Sequence, residues 1–282
     1  MGKQTRIEWP RECVASPDYV AVAAEDEGVV SFTHKARHIQ TIPETQETSG
    51  IDIHPRHKNL LVLGSSRGPV RIWDVRANRE VCSFDEKATH VRFVPDGRLA
   101  LCLKSVATIF KFDPQFQIQS RIKLEGHTNA VNGIIYLPFT KQFVTSSDDK
   151  SVKVWDSLTA SCLRTSYTHR DSVTSLALHP NGRVFASGSH DSSVIVWLSE
   201  PFQVKQVISF PRGIDSLVFG ADDVLYAGVH NRGVVSCNAR TGKLGEVLVP
   251  GRGSIFGLAL GSKHCTAWLE YCTLLKTISL SS

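Results

Sequence analysis

Residues 142–156 read QFVTSSDDKSVKVWD, and residues 184–198 read VFASGSHDSSVIVWL. Each stretch opens with a short apolar run and passes through small residues into a turn holding Asp149 or Asp191. Each then alternates apolar and polar side chains up to Trp155 or Trp197. Alternation with a period of two puts every other side chain on one face of an extended chain, and a polar turn between two such runs signals an antiparallel hairpin. The two stretches are one structural unit written twice.

Aligning the rest of the chain on the tryptophan gives a ladder of Phe32, Trp73, Phe112, Trp155, Trp197 and Cys237, at intervals of about 40 residues. One further step lands near Ile278, inside the strand-like run Thr273–Leu280, so seven units fit into the 282 residues. The fifth unit shows the internal pattern best. Its strands are expected over Ser172–Leu178, Arg183–Ser189, Ser193–Leu198 and Gln203–Ser209, separated by the turns His179-Pro180-Asn181-Gly182 and His190-Asp191-Ser192. Pro and Asn-Gly fix such tight reversals, and Val94-Pro95-Asp96-Gly97 does the same in the third unit. No stretch has a helical period, and the connections are short throughout.

A four-stranded sheet of this size cannot cover both of its own faces. Stacking successive sheets in a ring covers them and leaves only short edges. The expectation is therefore an all-β, seven-bladed β-propeller of four-stranded antiparallel blades, one domain over residues 1–282. The last unit runs out of chain after its third strand, and Thr5–Trp9 (TRIEW) is expected to supply the missing outer strand and close the ring.

At this point the residues resemble the WD-repeat (WD40) family. The fourth unit carries Gly126-His127, Asp149 and Trp155-Asp156; the fifth carries Thr168-His169, Asp191 and Trp197, with the same His-to-Trp separation. The second unit keeps Trp73-Asp74 but has Thr45 and Arg67 in place of His and Asp, and the sixth ends its third strand with Cys237-Asn238, followed by Thr241-Gly242-Lys243. The resemblance covers essentially the whole chain, strongly in units two, four and five and in degenerate form in the others. It implies two buried hydrogen-bonded tetrads: His127, Thr145, Asp149 and Trp155, then His169, Ser187, Asp191 and Trp197. It also implies a non-enzymatic scaffold that holds other proteins in a complex.

Ser187, His169 and Asp191 also have the composition of a hydrolytic triad. The structural reading outweighs the catalytic one, because the same trio recurs one unit earlier with Thr145 as the hydroxyl. In addition, Phe185 and Ser189 stand where a nucleophile elbow requires glycine. No phosphate-cradling glycine loop, dinucleotide fingerprint or zinc spacing appears, so no cofactor and no metal are expected.

The composition, 41% hydrophobic and 21% charged, suits a packed core, and the net charge of +5 permits acidic or phosphate-bearing partners without demanding them. Apolar runs such as Leu60–Leu63 fall far short of the roughly 20 residues of a spanning helix. Met1–Pro10 lacks the apolar run of a signal peptide, and Arg6 breaks the myristoylation pattern begun by Met1-Gly2. The seven cysteines, Cys13, Cys82, Cys102, Cys162, Cys237, Cys265 and Cys272, are odd in number and form no CxxC pair. That pattern fits reduced thiols, so an intracellular protein of the cytoplasm or nucleus is expected, without a membrane partner.

Three surfaces are candidates for partners. In the family, the loops entering the first strand and joining the second to the third form one face. Arg170, Arg212 and Arg252 fall in successive entry loops, and Arg67, Lys87, Lys150 and Arg232 fall in loops of the same side, diluted by Glu86, Asp148, Asp171 and Asp215. This basic rim suits an acidic or phosphorylated peptide or a nucleic acid. Trp73-Asp74-Val75-Arg76 resembles the box by which some WD-repeat proteins dock the propeller adaptor of cullin-type ubiquitin ligases, with Arg76 as the contact. Phe210-Pro211-Arg212-Gly213 partly resembles the motif of phosphoinositide-binding propellers but has one Arg where that motif has two.

Overall fold

The computed structural model describes residues 10–15, 19–24, 28–32, 38–42, 48–113, 115–220, 222–255, 257–260, 264–268 and 276–279. Every regular element among them is a β-strand, and each sheet is an up-and-down meander of neighbouring strands. The fifth unit follows its sequence pattern closely, with strands Val173–Leu178, Val184–Ser189, Ser193–Leu198 and Gln203–Ser209. Gly182, at φ +69°, turns the first of these into the second, and Gly97, at φ +94°, does so in the third unit. Both dihedrals lie in the left-handed region that glycine enters without steric cost.

The ladder residues Phe32, Trp73, Phe112, Trp155, Trp197 and Cys237 all fall in third strands. The number of blades, however, is corrected. Five blades, those over residues 48–250, are formed in place of seven. A four-stranded sheet over residues 10–42 precedes them, and a sheet of three strands, ending at Lys276–Ser279, follows. The proposed closing strand Thr5–Trp9 lies outside the described residues. The reason for the miscount is physical: a ladder of one residue per repeat registers third strands. A blade also needs its faces covered by neighbouring sheets, which the ladder residue does not encode.

The chain divides into two compact units, one of residues 1–103, 109–121 and 256–282, the other of residues 104–108 and 122–255. In the first unit, the first strands of four sheets lie side by side in the order Gly257–Leu260, Pro10–Ala15, Thr48–Ile53 and His90–Phe93. In the second unit the order is Val131–Leu137, Val173–Leu178 and Ile214–Phe219. Second and third strands are the most buried, as in Val184–Ser189, whereas the fourth strands, such as Cys162–Ser166, form exposed edges.

Apolar side chains from facing sheets fill the spaces between them. Leu137, Val144, Val152 and Val154 of the fourth sheet meet Val173, Phe185, Ile195 and Trp197 of the fifth. Ala177, Val184 and Val196 of the fifth meet Leu217, Leu225 and Val235 of the sixth. Removal of this apolar surface from water is the main stabilising term, at about 25 cal/mol per Å².

A β-bulge near the start of the first strand recurs between Thr48 and Gly50, Val131 and Gly133, Val173 and Ser175, and Ile214 and Ser216. The extra residue of a bulge is left out of the ladder and its side chain is re-aimed. Here it reaches the next sheet. Ser49 Oγ donates to Ala88 O at 3.4 Å, Asn132 Nδ2 to Val173 O at 3.2 Å and Thr174 Oγ1 to Ile214 O at 2.6 Å, while Asp215 Oδ2 accepts from Ile255 N at 2.9 Å. The bulge therefore stitches one sheet to the next.

Candidate interaction surface and the networks behind it

Both tetrads assemble. Trp155 Nε1 donates to Thr145 Oγ1 at 2.8 Å, Thr145 Oγ1 lies 2.7 Å from His127 Nε2, and His127 Nδ1 lies 2.7 Å from Asp149 Oδ2. In the next sheet the corresponding distances are 2.8 Å from Trp197 Nε1 to Ser187 Oγ, 2.7 Å to His169 Nε2 and 3.0 Å from His169 Nδ1 to Asp191 Oδ2. One proton assignment satisfies every member: the indole donates to the hydroxyl, the hydroxyl donates to Nε2, and Nδ1–H donates to the carboxylate. This requires a neutral imidazole. Burial holds His127 and His169 below the usual imidazole value, against the opposing pull of Asp149 and Asp191.

Asp149 and Asp191 are also the anchors of their turns. Asp149 Oδ2 accepts from Thr128 N and Oδ1 from Ser151 N; Asp191 Oδ2 accepts from Arg170 N and Oδ1 from Ser193 N. Burial raises both carboxyls, but these bonds and those from Ser151 or Ser193 hydroxyls and the imidazoles outweigh it and hold them below the usual carboxylate range. Ser151 and Ser193 are members that motif reading passed over. Their signal is the serine two residues after each aspartate. The core of each network therefore fixes its outer loop, including the backbone of Arg170.

The catalytic alternative for Ser187 fails on access. Ser187 is 0% exposed, and its oxygen is engaged by Trp197 and His169. Among the described residues no group of three or more His, Cys, Asp or Glu is placed to hold a metal ion. Burial pushes the thiols of Cys82 up to about 11 and of Cys102 and Cys237 up to about 12, which keeps them protonated and unreactive.

The degenerate repeats fill the same positions differently. In the second sheet Leu63 occupies the place of the hydroxyl, and the buried Trp73 Nε1 has no hydrogen-bond partner among the described residues. Arg67 stands where the aspartate would be. Its backbone N still donates to Ser65 Oγ at 3.2 Å, which preserves the turn, but its side chain is exposed. Thr45 lies outside the described residues. In the sixth sheet Cys237 and Ala227 are both buried and apolar, so no polar group there needs a partner.

The first unit has a second network that the sequence did not announce. Glu12, Asp52 and Arg92 come from three neighbouring first strands. Glu12 Oε2 accepts from Ile51 N at 3.0 Å, Asp52 Oδ2 accepts from Phe93 N at 2.7 Å, Arg92 Nη1 donates to Ile51 O at 3.1 Å, and Arg92 pairs with Glu12. Burial, partly offset by Arg92, pushes Asp52 up to about 6.

Every candidate partner residue is exposed: Arg67, Arg76, Lys87, Lys150, Arg170, Arg212, Arg232 and Arg252. In an antiparallel meander, the loop into the first strand and the turn from the second to the third lie at one end of the sheet. Arg67 and Lys87 lie at that end of their sheets in the first unit, and Lys150, Arg170, Arg212, Arg232 and Arg252 at that end in the second. Arg76 lies at the opposite end of its sheet, in the turn from third to fourth strand, where Asp74 Oδ1 accepts from Arg76 N and Ala77 N.

The loops of the second unit are tied to one another. His190 N donates to Ser172 O, Phe210 N to Ser192 O, His230 N to Gly213 O and Asn231 N to Gly253 O. Between them sits Asp215, 9% exposed, with His190 Nε2 at 3.8 Å from one oxygen and His230 Nδ1 at 3.5 Å from the other. Burial raises the Asp215 carboxyl, against the pull of Ile255 N and of both imidazoles.

Residues 118–156 and 160–197 match the family model described as WD domain, G-beta repeat. The chain is similar to striatin-3 of Mus musculus, 27% identical over 179 residues, which are 57% of this chain and 22% of striatin-3. It is also similar to the target of rapamycin complex subunit wat1 of Schizosaccharomyces pombe, 27% identical over 185 residues, 64% of this chain and 58% of wat1. Topless-related protein 4 of Arabidopsis thaliana is 23% identical over 201 residues, 61% of this chain and 18% of that protein. The chain thus spans less than two thirds of these relatives' lengths. With the motif residues joined as described and the repeat matched in successive sheets, this chain carries WD40 repeats in an all-β fold of the β-propeller type.

Proposed function

We propose that this chain is a non-enzymatic scaffold that holds protein partners in an assembly. The observation that carries the reading is the division of labour in the second unit. Hydroxyl, imidazole and carboxylate are spent on one another in the interior, and what faces outward is a set of short, hydrogen-bonded loops carrying cations. Loops already fixed in the free protein lose little entropy when a partner binds. The name of one relative, a complex subunit, points the same way. The chain, tagged at its own locus and purified with crosslinking, is expected to run with stoichiometric protein partners at a mass well above 31.1 kDa. A free monomer in its own cell extract would remove the reading.

A second reading places a ubiquitin-ligase adaptor at Arg76. Its support is the Asp74 turn, which holds the Arg76 backbone and leaves the side chain exposed. Against the family box, Arg67 replaces an acidic residue. Co-purification of a cullin adaptor that disappears in Arg76→Ala is the expected result; adaptor retention in that variant, or no adaptor at all, removes it.

A further inference from the structure

We infer that the entry loops of the second unit, through Arg170, Arg212 and Arg252, form a docking rail for an extended acidic segment of a partner protein, with carboxylates about three residues apart. The inference rests on the scaffold reading and adds the surface and the partner's chemistry.

The register comes from the seams. Val173, Ile214 and Ile255 are the backbone positions to which Asn132, Thr174 and Asp215 attach, so they are equivalent points in successive sheets. Arg170, Arg212 and Arg252 lie two or three residues before these points, and all three are exposed. Facing sheets stack about 10 Å apart. A segment in the polyproline II conformation has three residues per turn and advances about 3.1 Å per residue. Laid along the rail, it therefore brings a side chain of one face to a new guanidinium at roughly every third residue.

Away from its Arg170 end, the charge on this strip is one-sided. Residues 210–213 (FPRG), 230–232 (HNR) and 251–255 (GRGSI) contain three arginines and no carboxylate. The nearby Asp191 and Asp215 have side chains only 9% exposed, and each is already engaged by histidine and backbone N–H groups. Asp171 is the one exposed acid on the strip, at its far end. Exposed His190 and half-buried His230 add hydrogen-bonding groups beside Arg212 and Arg232. The loops are fixed relative to one another by His230 N to Gly213 O at 2.9 Å, Asn231 N to Gly253 O at 2.9 Å and Gly253 N to Asn231 Oδ1 at 2.8 Å. The guanidinium groups are thus carried on a backbone of set geometry.

A protein segment suits this strip better than a nucleic acid. Single-stranded nucleic acid is held by aromatic rings on which bases stack. The entry loops of the rail offer a single exposed ring, Tyr167 in the Arg170 loop, over which Lys153 Nζ lies 6.0 Å from the centroid, and Phe210 is 6% exposed and part of the core, so there is no row of platforms for successive bases. Guanidinium groups set a sheet apart also fit a row of separate carboxylates better than one compact phosphoryl group, which calls for converging forks.

The test uses the full chain and four fluorescent probes: a twelve-residue peptide with Glu at every third position, the same composition with the Glu residues contiguous, a peptide with one phosphoserine, and an oligouridylate. The spaced peptide is expected to bind tightest and to weaken as NaCl rises from about 0.05 M to about 0.5 M. Arg212→Glu with Arg252→Glu is expected to weaken it at least about tenfold, since two attractions become repulsions. Arg240→Glu, exposed at the opposite end of the sixth sheet, is expected to leave it unchanged. Arg212→Ala with Arg252→Ala, with an unchanged melting curve, guards against misfolding of the charge-reversed chain. Wild-type affinity in both double variants, or tighter binding of the phosphopeptide or the oligouridylate, overturns the inference. If the double variant keeps its native partners, the scaffold stands and the rail is wrong; a chain without partners in the cell loses both.

Discussion

Trp155 Nε1 donates to Thr145 Oγ1 at 2.8 Å, whereas two sheets earlier Trp73, at the same ladder position, shares its buried cluster with Leu63 and has no partner for Nε1 among the described residues. The two tryptophans share a backbone position but differ in what their loss would cost. Trp155→Phe removes a donor from a satisfied chain, whereas Trp73→Phe removes an N–H that has no acceptor among the described residues. An unsatisfied buried donor costs about 1–3 kcal/mol. Urea denaturation should therefore show Trp155→Phe as more destabilising than Trp73→Phe by about 1 kcal/mol or more. Equal losses would mean the Trp155 bond contributes nothing. Trp155→Ala, which also opens a cavity, is expected to cost roughly 3–5 kcal/mol.

Thr145 and Ser187 do the same work in adjacent sheets. Ser187→Thr retains the hydroxyl and is expected to shift the urea midpoint little. Ser187→Ala leaves Trp197 Nε1 without its acceptor and His169 Nε2 without its donor, at a cost of about 1–3 kcal/mol. A Ser187→Ala chain as stable as the parent would show that the buried polar set is dispensable. Serine-reactive fluorophosphonates are expected to leave Ser187 unlabelled, because it is fully buried.

The imidazoles make stability fall in mild acid. Burial lowers the folded values of His127 and His169 below 6.5, so the unfolded chain takes up the protons first. Their contribution is fully present above pH 6.5 and is lost as pH falls through their lowered folded values. His169→Gln is expected to be less stable than the parent at pH 8 and to lose less than the parent between pH 8 and pH 5. A parallel pH profile in the variant would contradict the assignment of a neutral histidine.

Asp52 acts in the opposite sense. Its folded value, raised by burial to about 6 from 3.8, makes the native chain hold a proton that the unfolded chain has released. The stability it contributes is complete below pH 3.8 and is lost as pH rises through about 6. Asp52→Asn keeps an oxygen for Phe93 N and removes the titration. The difference in stability between variant and parent should therefore change between pH 4 and pH 7, with the variant gaining as pH rises. A constant difference across that range would sink the assignment.

Thr174 bridges sheets through Ile214 O at 2.6 Å. Thr174→Val preserves shape and removes the donor, and should cost about 0.5–1.5 kcal/mol. Because the seam lies between sheets, amide exchange is expected to quicken in Val173–Leu178 and Ile214–Phe219 before it does in Cys162–Ser166. Uniform exchange would argue against a local role.

The sequence by itself determined the repeat, the strand class, the turns and both tetrads, because these contacts form within one repeat. His169, Ser187, Asp191 and Trp197 lie within 28 positions of one another, and the alternating pattern around them fixes which side chains point inward. The tertiary structure decided what depends on neighbouring sheets. Asn132 meeting Val173, or Glu12 meeting Arg92, requires chain segments one or two repeats apart to be brought together, and no local spacing encodes that. It likewise decided the number of blades, five rather than seven, since a blade is covered on its faces only by neighbouring sheets and no local spacing encodes that. The seven rim cations and Arg76 are assigned to different surfaces by the repeat pattern, and strand direction gives each a place: the seven at the entry-loop end of their sheets, Arg76 at the opposite end of its own.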